Sequence, residues 1–123
     1  MSIKAILNLA GAVFGFGDAA TIDRDALKAG LAAGTVALVD VREPDEFAAG
    51  HVKGAENLPA SRFDPRALPN DGRTVVLMCQ AGPRAFSAQV RAESAGRAGV
   101  RVYRGSMRDW VRAGEPVVHA DRR

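Results

Sequence analysis

This sequence predicts an α/β fold built on an open, mainly parallel sheet with helices on both faces, and three observations carry that prediction. Residues 35–41 (TVALVDV) and 74–78 (TVVLM) are apolar runs without polar alternation, as in strands covered on both sides. Segments with helix start and stop signals lie between and after them, and strands alternating with helices imply parallel crossovers. The chain has 123 residues, no internal repeat and no linker long enough to divide it, so one core can form without disulfide or metal staples.

Residues 3–16 (IKAILNLAGAVFGF) are apolar apart from Lys4 and Asn8. That stretch falls short of the ~18 to 20 residues a spanning helix needs, and one lysine is a thin charged region for a signal peptide. Residues 1–18 are therefore expected to be an N-terminal helix or a loosely docked extension, with membrane contact not favoured, and residues 19–123 to form the domain. Thr21 and Asp23 offer cap chemistry to a helix through DRDALKAGLAA, with Ala26, Leu27, Gly30 and Leu31 on one face and Gly34 closing it. After the first strand, Pro44 can start and Gly50 can stop a helix of one or two turns. The second strand runs into Cys79, and a helix follows from Arg84 to about Ala95. Residues 100–103 (VRVY) read as a third strand. Met107, Trp110 and Val111 have the spacing of one face of a last helix that ends at Gly114.

Charge narrows the partners. The net charge of +3 comes from 17 basic and 14 acidic residues that form no single basic block, which argues against nucleic acid. It favours a small anionic ligand wherever arginines converge. One cysteine excludes an internal disulfide and a Cys-rich zinc site, and any redox chemistry at Cys79 needs an external thiol. No metal or cofactor is expected, and the expected location is cytoplasmic.

Cys79 has two readings. A cysteine at the end of an apolar strand is usually a small core residue. Here, however, it opens the turn between a strand and a helix, at the sheet edge where open parallel sheets bind ligands. Gly82 permits backbone N–H groups to converge there, and the following helix points its positive end back at the turn. A thiolate is favoured in such a nest, with Arg84 close by, and the thiolate is the nucleophilic form.

The motifs LVDVREPDEFAAGHVKGAENLP and VVLMCQAGPRA together resemble the single-domain rhodaneses, a sulfurtransferase family, over residues 21–110. Asp40, Arg42, Glu46, Phe47, Gly50, His51, Gly54, Ala55, Asn57 and Pro59 match the family's first block. Cys79, Gly82 and Arg84 match its active loop, and Gly105, Ser106 and Trp110 its closing segment. The resemblance implies that Cys79 carries the transferred sulfur as a persulfide, within a substrate-binding loop of Gln80, Ala81, Gly82, Pro83, Arg84 and Ala85. It implies a small anionic sulfur donor such as thiosulfate, and an acceptor that is cyanide, a thiol or a protein. Asp40 and Arg42 are expected to pair and order the loop beneath Cys79. His51 is expected to have a structural hydrogen-bonding role, His119 to face solvent and Trp110 to anchor the last helix in the core.

Gln80 and Ala81 stand where family members that handle thiosulfate well often carry cations, and Pro83 removes one N–H from the nest. Arg84 is then the main fixed charge for a sulfonate-like group. Ala85, Ala88, Ala92 and Ala95 replace bulkier apolar residues in the helix, for which the sequence offers no functional reason. A non-catalytic binding module is one alternative, though Cys79 and Arg84 are both retained. A phosphatase or arsenate reductase is another, yet the related phosphatase loops place five residues between Cys and Arg where this loop has four.

Overall fold

The computed structural model describes residues 20–119, so the apolar segment expected over residues 1–18 lies outside the described residues. Five strands, β1 (Thr21–Ile22), β2 (Val36–Asp40), β3 (Glu56–Asn57), β4 (Thr74–Met78) and β5 (Arg101–Tyr103), form one sheet in the order β1-β5-β4-β2-β3. Every pairing within it is parallel. Among the described residues four helices connect or follow them: α1 (Arg24–Ala33), α2 (Pro44–Ala49), α3 (Pro83–Ser94) and α4 (Ser106–Arg112). Two short 3₁₀ turns, Ala60–Arg62 and Pro65–Ala67, complete the path from β3 to β4. Among the described residues no helix is long and apolar enough to cross a membrane.

The strands are apolar on both faces because both faces are covered. Val36, Leu38, Val76 and Met78 point to one side, where they pack with Leu27 of α1 and with Met107 and Trp110 of α4. Val39, Val75, Leu77 and Val102 point to the other, against Ala85, Ala88 and Ala92 of α3 and Phe63 and Leu68 of the 3₁₀ region. Each fully buried side chain of valine or leucine size contributes about 1.5–3 kcal/mol. The alanines now have a packing reason: Ala85, Ala88 and Ala92 are at most 2% exposed, so a thin helix face lies close on the sheet. Ala95 is exposed and takes no part. Gln89 is buried on the same helix, where its Nε2 donates to the Ala20 and Val100 carbonyls and ties α3 to the edge of the sheet.

Several local expectations change in the folded chain. Asp23 is the N-cap of α1, its carboxylate accepting from the Ala26 amide at 2.8 Å. Thr21 instead belongs to edge strand β1, which is too short for periodicity to reveal. Leu27 and Gly30 form the buried stripe of α1, while Ala26 is exposed. Val111 is 56% exposed, because Met107 and Trp110 already fill the space beneath α4. Trp110 is core as expected, its indole N–H donating to the Pro116 carbonyl.

Candidate active site

β4 delivers Cys79 to the carboxyl edge of the sheet, beside the end of β2, where Asp40 is in register with Met78. Cys79 is 1% exposed, with a side chain that belongs to the apolar cluster containing Phe63, Ala85 and Ala88. Its sulfur is not merely filler, since the Gly82 amide donates to Cys79 Sγ at 3.0 Å. That contact requires a tight return of the chain, and Gly82 adopts φ 120°, a conformation disfavoured for side chains. A Cβ there would also meet the Arg104 carbonyl oxygen at 3.1 Å. Glycine is needed at this position on both counts.

The loop then opens into α3, with Pro83 as its first residue. Gln80, Ala81 and Pro83 are exposed, and Gly82 and Ala85 are buried. Among the described residues, the amides of Gln80, Ala81, Arg84 and Ala85 have no hydrogen-bond acceptor. These are the orphan donors of a turn and a helix start. Ala85 can therefore contribute its amide to a bound anion while its methyl group packs in the core.

A second segment holds the strand end from the other side. Ser106 is fully buried and non-glycine at φ 56°. Its hydroxyl accepts from the Cys79 amide at 3.1 Å and donates to the Tyr103 carbonyl at 3.0 Å. The Met107 and Arg108 amides donate to the carbonyls of Cys79 and Gln80 at 3.0 and 2.9 Å. Backbone strain at Ser106 is thus locked by bonds that position the cysteine. The sequence contained Ser106 only as part of a matched motif, and nothing in local pattern marks a serine 27 positions away as the Cys79 amide's partner.

Asp40 and Arg42 meet as a fork. Arg42 Nε lies 3.0 Å from both carboxylate oxygens, Nη2 lies 2.8 Å from Asp40 Oδ2, and Nη2 also reaches the Gly50 carbonyl at 2.8 Å. Asn57 Nδ2 donates to the Asp40 and Arg42 carbonyls, so β3 is pinned to the same turn. His51 joins this frame: its Nδ1 is 2.8 Å from the Phe47 carbonyl, its ring stacks on Phe47 at 3.7 Å, and its backbone bridges Val118. His119 is exposed.

Arg84 is not a free cation. Its Nη1 and Nη2 contact Glu46 Oε1 and Oε2 at 2.7 and 3.1 Å, linking the first turn of α3 to α2. The Glu43 amide also donates to Glu46, at 3.0 Å. The Arg84 hydrogen bonds, followed by the Glu43 amide and neighbouring charge, hold the Glu46 carboxyl at about 2 against its usual 4.5, although partial burial opposes this. The same pairing raises the Arg84 guanidinium above its ordinary value, against the opposing cost of partial burial. Glu46 was legible as a motif match, but its partner 38 positions away was not.

Such a site can stabilise a sulfur anion on Cys79 and an oxyanion group above it. Residues 23–113 match the Rhodanese-like domain family. A Synechocystis protein is 44% identical over 68% of this chain, which spans 47% of that relative's length. The human thiosulfate:glutathione sulfurtransferase is 33% identical over 76% of the chain and 94% of its own length. Among solved structures, a human single-domain sulfurtransferase superposes with a TM-score of 0.68 at 34% identity, covering 76% of this chain and 96% of that one.

Proposed function

The chain belongs to the rhodanese-like sulfurtransferases, and from that premise we propose that Cys79 carries a sulfane sulfur from an anionic donor to a thiol acceptor by double displacement. The observation that carries this reading is the Gly82 N–H donated to Cys79 Sγ at 3.0 Å, within a loop whose other amides are unclaimed. In the first step, the Cys79 thiolate attacks the outer sulfur of thiosulfate. A Cys79–sulfur bond forms, the donor's sulfur–sulfur bond breaks, and sulfite leaves with the bonding electron pair. In the second, an acceptor thiolate attacks the outer persulfide sulfur. A new persulfide leaves, and the electron pair of the broken bond returns to Cys79 as thiolate.

Geometry supports each requirement. The persulfide places its outer sulfur about 2 Å beyond Sγ, which carries reactivity from a buried atom toward the exposed residues Gln80 and Ala81. The unclaimed amides and the start of α3 offer hydrogen bonds to the developing negative charge. Asp40, Arg42 and Ser106 hold the strand ends that position the loop, and no general base is required once Cys79 is a thiolate. The human relative's name pairs thiosulfate with glutathione, and a soluble thiol acceptor suits the same loop here. Four residues between Cys79 and Arg84 suit one sulfur on the cysteine rather than a whole phosphate.

Intact-mass measurement after exposure to thiosulfate, and separately to a mercaptopyruvate-type donor, tests the proposal. One added sulfur on Cys79, removed by cyanide, is the expected result and ranks the donors. Cys79→Ser should show no added sulfur and no transfer with the fold nearly intact; transfer above a few per cent of wild type would overturn the persulfide route.

A further inference from the structure

Beside the active loop, a cleft of about 250 Å³ runs between α3 and the 3₁₀ turn, walled by Ala60 and Phe63 on one side and by Pro83, Arg84, Ser87 and Arg91 on the other. We propose that this cleft is the acceptor subsite, that it selects a low-molecular-weight peptide thiol bearing carboxylates, and that Arg91 is the residue that holds the carboxylate. The inference rests on the persulfide reading of Cys79 and names the half of the reaction that reading leaves open.

Arg84, Ser87 and Arg91 are spaced i, i+3 and i+7, which puts them on one face of α3. From Arg84 beside Cys79 to Arg91 is seven residues, about 10 Å along the axis. A peptide thiol such as glutathione carries its sulfur on the central residue, so its terminal carboxylate lies about two residues, roughly 7 Å, from that sulfur, and the long Arg91 side chain spans the remainder. Two of its lining residues, Phe63 and Ala88, belong to the same apolar cluster as Cys79. A cleft of this volume suits a small thiol better than a folded protein.

Arg84 is committed to Glu46, but Arg91 has no ion-pair partner among the described residues. Its Nη2 donates to the Phe63 carbonyl at 2.8 Å, and its guanidinium lies 5.3 Å from the Phe63 ring centroid. Those contacts fix the guanidinium in place and leave the rest of its five donors unspent. Asp64 lies close enough to feel the Arg91 charge, yet it is gripped by Arg66 through a two-bonded fork. A held guanidinium with no ion-pair partner among the described residues, about 10 Å along α3 from Arg84, is a carboxylate site.

The experiment loads the full chain with thiosulfate, verifies one added sulfur by mass, and follows its removal by glutathione and by the neutral 2-mercaptoethanol. The reading is the ratio of the two second-order rate constants. Arg91→Met keeps the stem on Phe63 and should lower that ratio about fivefold, while Arg91→Lys should lower it less. The wild-type ratio should also fall as salt rises. An unchanged ratio in Arg91→Met, or equal losses with both thiols, would overturn the subsite and assign Arg91 to supporting Phe63. If Arg91→Met fails to fold, Arg91→Lys and the wild-type salt dependence decide: a salt-indifferent ratio overturns the proposal. Failure of the wild-type chain to take up sulfur would instead overturn the persulfide reading.

Discussion

Arg42 and Asp40 are two residues apart in sequence and 5% and 0% exposed, whereas Arg84 and Glu46 are joined across 38 positions and keep 38% and 35% of their side chains in water. Both are arginine–carboxylate forks next to the same loop. Burial makes them different devices. For the inner pair, the cost of desolvating two charges largely offsets their attraction, so its value lies in what happens when one partner is lost. For the outer pair, water screens the attraction, so Glu46 occupies Arg84 at little energetic gain. One fork therefore sets the frame under Cys79, and the other tunes the charge at its rim.

The sharpest way to break that contrast is Arg42→Met. It leaves the Asp40 carboxylate buried without its fork and should cost about 3–5 kcal/mol, read by urea unfolding. Adding Asp40→Asn should recover much of the loss. A cost under about 1 kcal/mol would mean that water reaches Asp40 and that the inner fork behaves like the outer one.

Adding an unshared charge to the rim is the next test. Ala81 is exposed, and Ala81→Lys should strengthen thiosulfate binding by roughly 1 kcal/mol. That is about a fivefold gain in kcat/KM, and it should shrink as salt is raised. A donor without a dianionic head should gain little. Equal gains for both donors in steady-state kinetics would show that loop charge does not set donor preference.

Glu46→Gln should have the smallest effect on stability, about 1 kcal/mol or less, because both partners are more than a third exposed. Its signature lies in pH. The Glu46 carboxyl is held at about 2 against a usual 4.5, so its contribution is fully present above about pH 5 and is lost as pH falls toward 2. Acid unfolding of Glu46→Gln should therefore approach wild type over that window. With Arg84 unmasked, thiosulfate turnover should also rise about twofold near neutral pH; a fall would mean that Glu46 is needed to aim Arg84 rather than to occupy it.

Much of this protein was legible in the sequence because the signals are local. Unbroken apolar runs announced strands covered on both faces. Pro44 and Gly34 marked helix ends through backbone geometry alone, and the spaced motifs around Asp40, Arg42, Cys79 and Arg84 located the loop. Tertiary structure decided what local pattern cannot carry. Two-residue strands such as Thr21–Ile22 and Glu56–Asn57 exist only because a neighbouring strand supplies their hydrogen bonds. Val111 had the right spacing for the core and lies in water, because Met107 and Trp110 had already filled the space. Arg84 looked like a free charge until folding brought Glu46 to it, and Ser106 acquired its hold on the Cys79 amide only when β5 was laid beside β4. The sequence by itself determined which residue types stand at the sheet edge; which of them are already partnered depended on distances that only packing creates.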